Sequence, residues 1–199
     1  MAIVVEHDKR RHEILEKALD VFIDEGYEDV TFQKIADRCG ITRTTLFIYF
    51  KNKREIFLWS IKQLTGGIEE VLRGIILDKN LSSEECLRKT LMTIVDECEK
   101  NSRLFTVLLS YLLNLQKTGG DPAERVRRRL IRLRQLIDTI LIRGQKSGEF
   151  KKQSVYVAYE MFYGLIQSAI FRLSVLSEKS IDSIRDPLNL AVDGILASA

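Results

Sequence analysis

The run Thr31-Phe32-Gln33-Lys34-Ile35-Ala36-Asp37-Arg38-Cys39-Gly40-Ile41-Thr42-Arg43-Thr44-Thr45-Leu46-Phe47-Ile48-Tyr49-Phe50-Lys51-Asn52-Lys53 breaks into two short apolar-periodic pieces around one glycine. Phe32, Ile35, Ala36 and Cys39 share one helical face, with Thr31 placed to cap it. Gly40 breaks that helix, Ile41 points inward, and Thr42 can cap a second helix carrying Leu46, Phe47 and Phe50. Two helices, Thr31–Cys39 and Thr42–Tyr49, joined by so tight a turn form a helix-turn-helix arrangement. Upstream, Ile14, Leu15, Ala18, Leu19 and Phe22 predict a helix over about Asp8–Glu25, stopped by Gly26. Downstream, Asn52 caps a helix through Ile56, Phe57, Trp59 and Ile61 toward Gly66-Gly67.

The remainder reads as helix after helix. Segments open at Ser83 and at Asn101-Ser102, then follow Pro122 to about Gln145, Ser154 to Leu176, and Ile181 to Leu196. Gly119-Gly120-Asp121-Pro122 is a loop, with Pro122 suited to a first helical turn. With only 2 prolines and 11 glycines in 199 residues, a turn-rich β fold is disfavoured, and the fold class is all-α. The expected organisation is an N-terminal three-helix domain, residues 1–52, and a larger helical bundle domain, residues 53–199.

Several function classes lose support at once. No apolar run reaches membrane-spanning length, and Met1–Val5 lacks the basic and apolar regions of a signal peptide, so a cytoplasmic protein without membrane association is expected. Cys39, Cys86 and Cys98 form no CxxC pair and leave an odd thiol, which points to buried reduced cysteines and to neither disulfide nor metal. His7 and His12 both lie near the N-terminus, and no GxSxG, phosphate loop or carboxylate cluster appears. No catalytic residue, metal ligand or cofactor is assigned, and an enzyme is not expected.

Charge is distributed unevenly although the net value is only +3. Glu13, Glu16, Asp20, Asp24, Glu25, Glu28 and Asp29 face a single base, Lys17, in the first helix and its turn. Lys34, Arg38, Arg43, Lys51, Lys53 and Arg54 then face a single acid, Asp37. One surface is thus turned toward an anion and another away from it.

The quoted run, with Phe22-Ile23-Asp24-Glu25-Gly26-Tyr27 before it, closely resembles the DNA-binding signature of the tetracycline-repressor (TetR) family over about residues 10–57. The resemblance implies a ligand-responsive transcriptional regulator, a repressor working as a homodimer on a palindromic double-stranded operator. It places Thr31 at a phosphate, where a hydroxyl beside free helix N–H groups suits an anion, although a plain N-cap explains it equally. Thr42 begins the recognition helix, and Arg43 and Thr44 fall at the positions facing base edges. Arg43 can donate to guanine O6 and N7, or to a phosphate. Phe47 stands where tyrosine is usual, keeping a thymine-methyl contact and losing a hydroxyl. Tyr49 and Lys53 match positions that meet the phosphate backbone, and Ile48 departs from the aromatic often found there, so it receives no role.

By the same resemblance, residues 53–199 bind an effector and dimerise. Phe105, Leu108, Tyr111, Leu112 and Phe162 are the candidate pocket, against the plainer reading that they are core. The shortage of charge among them favours a largely apolar effector. Tyr159, Phe162, Tyr163, Ile166 and Ile170, with small Gly164, Ser168 and Ala169, form a stripe suited to helix–helix contact. The run Arg125, Arg127, Arg128, Arg129, Arg132, Arg134 reads as a solvated face, because Val126, Leu130, Leu133 and Ile137 mark the buried side of that helix. The competing reading is a DNA-binding adaptor whose helical domain takes a protein partner.

Overall fold

The computed structural model describes residues 2–197. The side chains of residues 2–5 and of Arg129 lie outside the described residues, and with them the apolar character of Met1–Val5 and one member of the arginine run. Nine α-helices and one short 3-10 turn follow in order among the described residues: α1 (Ala2–Glu25), α2 (Phe32–Cys39), α3 (Arg43–Tyr49), α4 (Lys53–Leu77), α5 (Ser83–Lys100), α6 (Ser102–Lys117), α7 (Pro122–Ser147), α8 (Val155–Ser174), the turn Asp182–Ile184, and α9 (Arg185–Ile195). The only extended pairing among them is an isolated bridge between Phe150 and Leu196. The all-α expectation therefore holds.

Two compact units result, Met1–Gly67 with Val107–Asn114, and Ile68–Thr106 with Leu115–Ala199. In the first, α1 buries Ile14, Leu15, Ala18, Val21 and Phe22, and the short helices contribute Ile35, Ala36 and Leu46. Tyr27, Phe22, Phe57 and Tyr111 interlock, with Tyr27 to Phe57 4.9 Å and Tyr27 to Tyr111 4.8 Å between centroids. Burial pushes the Tyr27 phenol up to about 12, with Tyr111 and Glu28 adding to the shift. The second unit packs α5, α7, α8 and α9 around Leu87, Leu91, Ile137, Ile140, Phe162 and Leu188. Its thiols Cys86 and Cys98, like Cys39 in the first unit, are buried and unpaired.

Two helix limits differ from the sequence expectation. α1 starts at Ala2, six residues before Asp8, since no glycine or proline interrupts the run upstream. α4 passes through Gly66-Gly67 and continues to Leu77. Each interior glycine costs about 1 kcal/mol relative to alanine, but burial of Leu72 and Ile75 beyond the pair outweighs that. α5 opens at Ser83 as expected, with Ser82 as its cap: Ser82 and Glu85 form a reciprocal capping box, and Ser83 is buried.

The stripe expected on α8 is also redistributed. Tyr159, Phe162, Ile166 and Ala169 are buried in their own unit's core, and Tyr163 and Ile170 pack against it. One exposed face carries Val157, Met161, Gly164, Ser168, Phe171 and, at the C-cap, Val175, at spacings that alternate four and three, and Tyr156, Glu160 and Gln167 are exposed beside it. The arginine run behaves as a solvated, partnered face: Arg128 pairs with Glu124, Arg132 with Glu69 and Arg134 with Asp138.

The second unit is tied where α7 ends. A Cβ on Gly144 would fall 2.1 Å from the Phe150 ring, so the ring's seat requires glycine there. Just beyond, the Glu149 carboxylate accepts hydrogen bonds from the Ser83 and Glu84 N–H groups at 2.6 and 3.2 Å, covering free donors at the start of α5. Burial pulls the Glu149 carboxyl upward, but hydrogen bonds from Ser147, Ser83 and Glu84 together hold it below the usual range. Its contribution to stability is therefore full above the ordinary carboxylate pKa of about 4.3 and is lost as pH falls through the lower folded value. Glu149→Ala is expected to cost about 1–2 kcal/mol, and to flatten the acid limb of a Tm-against-pH curve. An unchanged curve would remove this cap from the account.

Candidate nucleic-acid interface

α2 begins where the Thr31 hydroxyl accepts from the Lys34 N–H at 3.2 Å. It ends at Gly40, which holds φ 66 in the left-handed region that a side chain resists. Gly40 and Ile41 donate back to Asp37 and Ala36 at 3.1 and 3.0 Å, closing the turn. Thr42 then starts α3 by accepting from the Thr45 N–H at 3.1 Å. Both threonines thus act as caps in the DNA-free chain, and both remain exposed. Local hydrogen bonds close the turn, and the burial of Ile35, Ala36 and Leu46 holds its two helices in the core.

The 7-residue α3 has one buried residue, Leu46. Arg43, Thr44, Phe47 and Ile48 are exposed, while Thr45 and Tyr49 are half-buried. At about 100° per residue the exposed four occupy one continuous arc of roughly 140°. Phe47 stacks on Phe32 at 4.4 Å, and the Arg43 guanidinium lies 5.5 Å from the Phe47 centroid. Tyr49 stacks on His7 of α1 at 4.5 Å, a contact no sequence periodicity signals.

The bases of α2 are largely spoken for. Lys34 pairs with Glu25 and also donates to the Asp29 carbonyl, Arg38 pairs with Asp24 at 3.2 Å, and Gln33 donates to Asp37 at 2.7 Å. The acidic end of α1 thus neutralises α2, and the charge asymmetry of the sequence resolves into ion pairs on that side. Lys53 is engaged too: its ammonium donates to the carbonyls of Tyr27, Glu28 and Val30 at 2.9, 2.8 and 3.1 Å, above the Tyr27 ring. It fastens the α1–α2 turn to the first residue of α4. Beside it, Asn52 accepts from the Glu55 N–H at 2.9 Å and Glu55 accepts from the Lys51 N–H at 2.7 Å. A groove of about 300 Å³ runs past Lys51, Asn52, Arg54, Glu55, Leu58 and Trp59. Trp59 itself lies between Arg11 and Lys62, 4.4 and 4.1 Å from its ring.

Of the five pocket candidates, Phe162 is fully buried in the second unit and Phe105 packs on that unit's core. Leu108, Tyr111 and Leu112 fall in the segment grouped with the first unit, where Tyr111 joins the aromatic cluster. The Tyr111 hydroxyl is buried without a hydrogen-bond partner. Among the described residues, no cluster of histidine, cysteine and carboxylate side chains could hold a metal ion. No described helix is long and apolar enough to cross a membrane.

Comparison with known proteins follows this geometry. Residues 14–58 match the model of the family described as bacterial regulatory proteins, tetR family. The chain is 25% identical over 187 residues to the fatty acid metabolism regulator protein of Bacillus subtilis (strain 168), covering 92% of this chain and 94% of that one. A TetR transcription regulator from Haloarcula marismortui superimposes with a TM-score of 0.83 at 18% identity, over 95% of this chain and 99% of that one. FadR from Bacillus subtilis, solved in complex with stearoyl-CoA, superimposes with a TM-score of 0.75 at 25% identity, over 92% and 98%. A helix-turn-helix with an exposed face, a matching family model and relatives spanning nearly the whole length agree: residues 14–58 form a DNA-binding domain of the tetR family, and the chain is a transcriptional regulator, not an enzyme.

Proposed function

We propose that the protein is a homodimeric, cytoplasmic repressor that holds a palindromic operator and is released by a long-chain acyl thioester. Residues 1–52, with Lys53 at the start of the next helix, carry the DNA contacts, and the rest of residues 53–199 carries effector binding and dimerisation. The observation behind the DNA half is the exposed arc of α3; in this proposal it offers Arg43, Thr44 and Phe47 to base edges. Thr31, Thr42 and Tyr49 flank it at the phosphates, the two threonines by turning cap hydroxyls at helix N-termini toward an anion. In a two-fold dimer the two recognition helices enter successive major grooves about 34 Å apart.

Lys53 has two roles in this proposal, holding the turn and presenting charge to the backbone. Lys53→Ala is expected to lower Tm by several degrees, since charge-assisted bonds contribute about 1.5–3 kcal/mol. It is also expected to lower the log–log salt slope of DNA binding by about one unit per monomer. A lowered Tm with an unchanged slope would assign Lys53 to the fold alone.

The exposed face of α8 supports the dimer. Val157, Phe171 and Val175 are 62, 53 and 46% exposed, and Gly164 and Ser168 between them permit close helix approach. Ile131 and Ile142 of α7, 54 and 43% exposed, are further apolar side chains at the surface of the same unit. Such a 4-3 stripe suits packing against its own two-fold copy.

The effector class rests on similarity to a fatty acid metabolism regulator and to FadR with stearoyl-CoA. To release DNA, the ligand must prefer the DNA-incompetent arrangement, and couplings of this kind amount to about 5–150-fold. Adding stearoyl-CoA is expected to weaken operator affinity within that range, with coenzyme A alone having little effect. Tight stearoyl-CoA binding that leaves operator affinity unchanged would remove the effector role.

A further inference from the structure

We propose that Ile48 is a specificity-determining residue that covers a thymine methyl group in the major groove. The inference rests on the DNA-binding reading and adds a residue to it. Ile48 is 70% exposed, among the most exposed large apolar side chains of the molecule, yet it sits on a helix whose other exposed residues are polar or aromatic groups suited to a base edge. Thr44 lies one turn before Ile48, and Arg43 lies at the opposite edge of the same arc. An isoleucine that contributes nothing to its own core gains only by meeting apolar surface elsewhere. In the major groove the base-pair edge offers one apolar group, the C5-methyl of thymine. Phe47 is held against Phe32 and cannot cover the far edge of the arc as well. Two separate methyl contacts therefore follow, one for Phe47 and one for Ile48, with Arg43 reading guanine on the other side.

The test uses the full chain and an operator selected from random duplexes by the wild-type protein. Each thymine of the half-site is replaced in turn by deoxyuridine, symmetrically, and binding of wild type, Ile48→Ala and Ile48→Val is measured at fixed salt. At one thymine, loss of the methyl is expected to weaken wild type about fourfold per half-site, and roughly 15-fold for the palindrome. At that same thymine Ile48→Ala should show no further loss, and Ile48→Val an intermediate one. If wild type selects no operator, the DNA reading itself fails. If wild type binds its operator but Ile48→Ala responds to every deoxyuridine as wild type does, only the role of Ile48 is overturned. Equal weakening of Ile48→Ala on operator and random DNA overturns it as well.

Discussion

Phe171→Glu is expected to leave each chain folded, convert the dimer to a monomer, and cut operator affinity at least about 100-fold. Phe171 is 53% exposed on α8 and contributes little to its own core, so circular dichroism should be unchanged. In a two-fold interface a residue near the axis meets its own copy, so one substitution introduces two carboxylates into an apolar contact. Each would be desolvated without a partner, at a cost of several kcal/mol. Dimer loss then removes the advantage of joining two half-site contacts, which is worth about 10²–10⁴ in affinity. Light scattering after size exclusion reads the mass, and fluorescence anisotropy reads the DNA. A variant that stays dimeric would show that the α8 face is not the interface.

Arg43→Ala has the next largest expected effect, confined to one base pair of each half-site. In the DNA-free chain the guanidinium rests near the Phe47 ring, an exposed contact worth about 0.5–1 kcal/mol. A bidentate bond to guanine O6 and N7 contributes about 1–3 kcal/mol of discrimination. The base contact outweighs the ring contact, so Arg43 is expected to leave Phe47 when the operator arrives. The alanine variant should lose about 5–150-fold per half-site on the selected operator, equal to that free energy, and lose preference at one base pair. Binding to random DNA should fall far less. Equal losses on both would make Arg43 a phosphate contact.

The helix-turn-helix was legible because its signals are local. Thr31, Gly40 and Thr42 act within a turn of themselves, through hydrogen bonds to Lys34, Asp37 and Thr45 that neighbouring residues can predict. Leu46 against Phe47 and Ile48 could be sorted only roughly, because three consecutive apolar residues occupy most of a helical turn. Their exposure depends on what α1 and α2 bring alongside. The α8 stripe shows the same ambiguity on a larger scale. Apolar residues occur around most of that helix, so periodicity alone did not separate its core-facing side from the side marked by Val157 and Phe171.

What the sequence by itself determined, then, was the helical class and the turn at Gly40 with its flanking threonine caps, since capping, propensity and glycine stereochemistry operate over a few residues. Tertiary structure alone decided the rest. It drew the Lys53 ammonium onto carbonyls 23–26 residues earlier. It carried Tyr111 to the ring of Tyr27 and carried α4 through Gly66-Gly67. It also left Ile48 in water while burying Leu46. Each of those outcomes depends on which distant part of the chain packs alongside, and such long-range contact, unlike a cap, has no fixed spacing along the chain.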